Sequence, residues 1–150
     1  MFDFTSEGII QFDKRITEIN TRIERLGEEI EASGAEAWHD NASYEEATRQ
    51  QAMWSSELRH LIQVRKKARI VAPSLVDDRV GFGRKVTYED KVTGEQTTIN
   101  IGSYIVLDED SGEISYQSPI AILLEGAKVG ETRQGMIAGR QKAFRIIAIA

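Results

Sequence analysis

Apolar residues recur at Ile9, Phe12, Ile16, Ile19, Ile23, Leu26 and Ile30, in steps that alternate three and four. That is an unbroken heptad seam, the pattern of a helix that packs along one stripe. It breaks at Ser33-Gly34-Ala35, and a second periodic run starts near Tyr44 with Ala47, Trp54, Leu58 and Leu61. Two helices folded back on each other from Ile9 to Leu61, an antiparallel coiled-coil hairpin, account for both runs. Each helix would have about 28 residues and the hairpin would reach roughly 40 Å. Its far end is the loop from Ser33 to Ser43, which contains Glu36, Trp38, His39 and Asp40. Thr5 suits the N-cap of helix 1 and Gly34 its C-cap. Ser43 with Glu46 fits a capping box for helix 2, with Asp40 or Asn41 as earlier alternatives. On the count 44, 47, 51, 54, 58, 61, 65, the seam positions Gln51 and Arg65 are polar and would fix register. Pro73 disfavours helical geometry at Ala72, which ends the helix and sets a boundary between residues 1–72 and 73–150.

Beyond Pro73 the period changes from 3.6 to 2. Lys85 to Tyr88 reads as a strand, with a turn at Gly94 and Gln96 to Ile101 as its partner. Ser103 to Leu107 reads as a third strand, Asp108 to Gly112 as a turn, and Glu113 to Tyr116 as a short strand. Ser118 as N-cap with Pro119 at the first position predicts a short helix over Ile120 to Leu124, stopped at Gly126. Glu131 to Ile137 and Ala143 to Ile149 close an antiparallel sheet. The fold class expected is α+β.

Composition narrows the field. The chain has 150 residues, 41% hydrophobic and 29% charged, and no cysteine. These values describe a folded protein without disulfides or thiolate metal sites, suited to a reducing cytoplasm. No segment approaches the roughly 20 apolar residues of a membrane span, and no export signal stands at Met1-Phe2-Asp3-Phe4. The formal charge is −5, which is not the footprint of a protein that holds bare nucleic acid. Its distribution is uneven. Glu24 to Glu46 holds eight carboxylates and one arginine, and Arg49 to Arg69 holds six basic residues and one glutamate. A basic helix end also follows simply from the helix dipole. Carboxylates crowded at the hairpin tip repel each other and imply something positive opposite them.

Little chemistry is visible elsewhere. His60 has no evident partner, no Ser–His pair of the nucleophilic type appears, and Gly81-Phe82-Gly83 lacks the rest of a phosphate loop. At the tip, Glu36, His39 and Asp40 lie three and four residues apart and would share a helical face. Carboxylates of this kind suit Mg²⁺ shared with a phosphate, although Asp40 could equally serve only as a cap.

Several short motifs in order resemble those of the bacterial Gre transcript-cleavage factors, GreA and GreB. They are Thr5-Ser6-Glu7-Gly8, Asp40-Asn41-Ala42-Ser43-Tyr44, Val80-Gly81-Phe82-Gly83, Ser118-Pro119-Ile120 with Leu123, Leu124 and Gly126, Lys128-Val129-Gly130-Glu131, and Phe144 to Ile149. The resemblance implies an FKBP-like sheet in the C-terminal domain, which docks through Ser118, Pro119 and Ile120 on the rim of the RNA polymerase secondary channel. It implies that the hairpin enters the channel. Asp40, and Glu36 beside it, would there help hold the second Mg²⁺ of the polymerase and stimulate cleavage of backtracked RNA at its 3′ end. The protein itself would be no enzyme, with no cofactor of its own, no small-molecule substrate and no membrane. The family's tip carries two acidic residues three apart; Asp40 takes the second place, and Ala37 stands in the first. A channel-binding regulator or inhibitor without cleavage activity is therefore the alternative. A coiled-coil adaptor and a prolyl isomerase built on the FKBP-like domain are further readings.

Overall fold

The computed structural model describes residues 1–34, 42–73 and 77–150. It is an α+β chain whose elements, in order, are β1 (Phe2–Phe4), α1 (Ser6–Gly34), α2 (Ala42–Lys66), β2 (Ala68–Ile70), β3 (Lys85–Asp90), β4 (Gln96–Gly102), β5 (Glu113–Ser115), α3 (Pro119–Leu124), β6 (Thr132–Ile137) and β7 (Arg140–Ile149). Packing divides it into a unit of Ile10–Ala68 and a unit of Met1–Ile9 with Arg69–Ala150. A cut at 72/73 would instead keep the N-terminal segment with the helices.

The helical unit follows the heptads. Phe12, Ile19 and Leu26 are buried, and Ile16, Ile23 and Ile30 between them are half-buried. The helices run antiparallel. Arg65 Nε donates to Asp13 Oδ1 at 2.6 Å, Arg22 lies over Trp54 at 4.8 Å, and a Cβ on Gly27 would lie 3.4 Å from Gln51 Nε2. Later positions on α1 thus meet earlier positions on α2. The seam of α2 departs from the expected count at its end. Val64 is buried and Arg65 is exposed, because the arginine reaches Asp13 and leaves the seam to its apolar neighbour.

The ends of α2 also differ from the expectation. Ser43 lies inside the helix, which starts at Ala42, and Glu46 does not close a capping box. Its carboxylate accepts from Arg49 Nε at 3.2 Å and from Gln50 Nε2 at 2.8 Å, partners one turn further along the same face. The alternative caps Asp40 and Asn41 lie outside the described residues. At the other end α2 stops at Lys66, before Pro73, and Ala68–Ile70 forms a strand with Phe2–Phe4. Val71 N donates to Phe4 O at 2.8 Å, extending that pairing.

The second unit holds a five-stranded sheet in the order β5-β4-β3-β7-β6. Its core gathers Val80, Val86, Tyr88, Ile99, Ile101, Phe144 and Ile146 against Ala121 and Leu124 of α3. The pairs β3–β4, β3–β7 and β6–β7 are antiparallel, but β4–β5 is parallel, so the sheet is mixed. No strand forms over 103–107. There Ser103 N donates to the Glu113 side chain at 3.1 Å and Tyr104 N to Asp3 O at 2.9 Å. With those donors engaged, the segment leaves the sheet, and β5 re-enters beside Asn100–Gly102, the last residues of β4, in parallel. The β6–β7 loop is Ala138-Gly139, with φ of 52° and 77°. Positive φ at both positions is the two-residue hairpin geometry, and it extends β7 back to Arg140. The short helix forms as expected: Ser118 Oγ accepts from Ala121 N at 3.4 Å, and Pro119 is the first helical residue.

Candidate functional site

Two places on the chain concentrate features that could serve a partner. The first is the end of the hairpin. Glu28, Glu29 and Glu31 close α1 and Glu45 and Glu46 open α2, all exposed. Hydrogen bonds, first from Gln50 and then from Arg49, hold the Glu46 carboxyl below its ordinary range, so negative charge persists there. Glu36, Ala37, His39 and Asp40 lie outside the described residues. Among the described residues, no group of three His, Asp or Glu is placed to hold a metal ion. By donor chemistry, Asp40 and Glu36 fit Mg²⁺, which prefers carboxylate oxygen and retains waters or phosphate as its remaining ligands. Two carboxylates are too few to form a complete site alone.

The second place is α3. Ala121 and Leu124 anchor it in the core, and Leu123 sits over Gly135 of β6, where a Cβ would come within 2.8 Å of Leu123 Cδ1. Pro119 is exposed and Ser118 half-buried. Ile120 packs against the core, while Ile122 is 59% exposed. The outward apolar side chain of this turn is therefore Ile122, two residues beyond the isoleucine the sequence motif singles out. The alternation of inward 121 and 124 with outward 122 could have found it.

Other expected features resolve more simply. Of the basic residues near the end of α2, Arg65 pairs with Asp13 and Arg69 with Asp3, which raises both guanidinium pKa values further above their ordinary range. Arg59, Lys66 and Lys67 are exposed. His60 lies on the surface of α2. In the sheet unit Tyr88 and Phe144 pack edge to face at 4.9 Å inside the core, and burial pushes the Tyr88 hydroxyl pKa up. These rings fill the core and do not line an isomerase pocket. One feature was missed in the sequence: Trp54, half-buried, lies under Arg22 at 4.8 Å and Arg15 at 5.7 Å. Its place in the heptad count marks it only as a seam residue.

A family model described as the C-terminal part of the transcription elongation factor GreA/GreB matches residues 75–150. Transcription elongation factor GreA of Mesomycoplasma hyopneumoniae strain 7448 is 32% identical over 130 residues, covering 85% of this chain and 81% of that protein. GreA of Rickettsia bellii strain OSU 85-389 is 27% identical over 151 residues, covering 99% of this chain and 94% of that protein. Among solved structures, GreA factor homolog 1 of Thermus thermophilus aligns over 99% of this chain and 97% of its own, with a TM-score of 0.45 and 22% identity. The matched C-terminal half and the relative that is 32% identical over 85% of the chain establish that this chain belongs to the GreA/GreB family of transcription elongation factors.

Proposed function

We propose that this protein binds RNA polymerase through the α3 turn of its sheet unit, places its helical hairpin in the secondary channel, and stimulates cleavage of backtracked RNA. The observation that carries the reading is the hairpin itself. Helices of 29 and 25 residues, each about 40 Å long, end in a cluster of exposed carboxylates on a chain of the GreA/GreB family. Ser118 and Pro119, with Ile122 in place of the inward-packed Ile120, would form the docking turn. Asp40, with Glu36 beside it, would be lent to the polymerase active site at the RNA 3′ end, holding the second Mg²⁺ there and orienting a water. A second metal of this kind stabilises the charge that develops on the attacking and leaving oxygens of phosphoryl chemistry. The protein contributes reach and carboxylates, and the catalytic centre is the polymerase's. The reading places it in the cytoplasm. Among the described residues, no helix is long and apolar enough to cross a membrane.

Ala37 favours a second reading. With no carboxylate at the first tip position, the hairpin would occupy the channel and regulate or inhibit transcription without promoting cleavage. One experiment separates the two. A stalled, backtracked polymerase complex with labelled RNA is mixed with wild type or with Asp40→Ala, and release of short 3′ fragments is followed. Cleavage by wild type that Asp40→Ala abolishes supports the first reading. No cleavage, with wild type displacing a GreA factor, supports the second. Neither effect refutes both and leaves a coiled-coil adaptor.

A further inference from the structure

In the free protein, one face of α2 is exposed along its length, with Glu46 of the acidic cluster at one end. On α2, Glu46, Arg49, Met53, Glu57 and His60 recur at steps of three, four, four and three, so they share a helix face. All five are exposed; Met53 is 56% exposed and the Arg49 side chain 77%. Met53 and Trp54 together border two hollows of about 350 and 460 Å³. Arg22, Glu46 and Arg49 line the first, and Arg15, Ser56 and Glu57 line the second. An exposed methionine between two hollows is a knob whose hole is not supplied by its own chain.

We propose that this face pairs with the same face of a second copy of the chain, antiparallel, about a two-fold axis at Met53. The spacing is symmetric about that residue, and the Arg49 and Glu57 charges are antisymmetric about it. Reversing the helix about Met53 sets Arg49 opposite the second copy's Glu57, Glu57 opposite its Arg49, and Glu46 opposite its His60. Each Met53 then meets the hollows beside its counterpart. A two-fold contact needs such self-complementarity; an unrelated partner would not. The charge of the whole hairpin agrees. Residues 10–25 and 53–68 carry eight basic and four acidic side chains, and residues 26–34 and 42–52 carry five acidic and one basic. Antiparallel pairing lays each acidic half on the other copy's basic half, where parallel pairing would oppose like charges.

The test is sedimentation equilibrium of the full chain as wild type, Arg49→Glu, and the double variant Arg49→Glu with Glu57→Arg, each with its helix content checked by circular dichroism. Wild type is expected to dimerise reversibly and more weakly at high salt. Arg49→Glu, which sets glutamates opposite each other twice, is expected to weaken the dimer about tenfold or more, and the double variant to restore it. Restoration is informative because the lost Glu46–Arg49 pair within α2 is not repaired by the second change. The chain has no cysteine, so Met53→Cys should give a single disulfide-linked dimer on mild oxidation, while Thr98→Cys on the sheet should not. Four results would overturn the proposal: wild type monomeric up to about 1 mM, the weak end of measurable affinity; a dimer indifferent to Arg49→Glu; a loss that the charge swap fails to reverse; or an Arg49→Glu effect confined to polymerase capture, which would give this face to the polymerase.

Discussion

At the residue scale, Gly8 is tightly constrained. Its N–H donates to Thr5 Oγ1 at 2.9 Å, and Thr5 N donates to Ser103 Oγ at 3.0 Å. Ser103 is 1% exposed, and a Cβ on Gly8 would overlap its hydroxyl and come within 3.1 Å of its Cβ. Ser103 has no room to withdraw. Gly8→Ala should therefore cost about 1–3 kcal/mol by overpacking, read as a lowered urea midpoint at unchanged slope. Ser103→Ala removes the acceptor for Thr5 N and should cost a similar ~1–3 kcal/mol. The sequence suggested Thr5 as a cap, which holds, but not that the cap's other partner lies 98 residues away. Asp90 supplies a pH test. Its carboxylate accepts from Val92 N at 2.8 Å and Thr93 N at 3.3 Å, with Lys142 nearby at 3.6 Å. These partners, the Val92 N–H foremost, hold its pKa below the ordinary value. A folded-state pKa below the unfolded one contributes stability that is present above the unfolded pKa and lost as pH falls through the folded one. Denaturant midpoints of wild type should thus fall more steeply below about pH 4 than those of Asp90→Asn; identical profiles would mean that this network is energetically idle.

At the element scale, what the sequence revealed and what it hid divide along one line. Features set by neighbours in the chain were legible. The heptads of α1, Ser118 capping α3, and the β3–β4 pair all formed where the residue types require. Features set by distant partners were not. Ala68–Ile70 became a strand because Phe2–Phe4 offers an edge, the segment after Gly102 left the sheet because Glu113 and Asp3 took its donors, and Val64 entered the seam because Arg65 found Asp13. The Ala138-Gly139 turn escaped because alanine is not a usual residue at positive φ. The tip was legible only as composition, a run of carboxylates with Ala37 among them. The hairpin's energetics follow from its seam. Ile19 is 2% exposed, and Ile19→Ala should destabilise the helical unit by about 2–5 kcal/mol. Trp54 is half-buried in that unit and residues 69–150 contain no tryptophan, so tryptophan fluorescence should report the loss directly. Removing the exposed Asp13–Arg65 pair by Asp13→Asn should cost no more than about 1 kcal/mol. The reverse order would assign the hairpin's stability to its ion pairs.

At the scale of the whole molecule, the proposed function separates two jobs along the chain: α3 in the sheet unit holds the polymerase, and the end of the hairpin supplies carboxylates. A change to one job should therefore leave the other untouched, which gives a test in two parameters. Ile122→Ala removes an exposed apolar side chain that contributes nothing to the core, so it should weaken polymerase binding about tenfold, as truncation of an interface anchor does. The cleavage rate at saturating protein should not change. Ala37→Asp restores a carboxylate three residues before Asp40, and a second acidic ligand near the ion should raise the saturated rate about tenfold or more at unchanged affinity. Titrating each variant against backtracked complexes gives both numbers from one experiment. An Ile122→Ala variant with a lower saturated rate would mean that the docking turn also sets how the hairpin is delivered. An Ala37→Asp variant that binds as wild type and cleaves no faster would mean that position 37 is not what limits this hairpin. The balance would then shift to the regulator, with the channel occupied and the chemistry left to the polymerase.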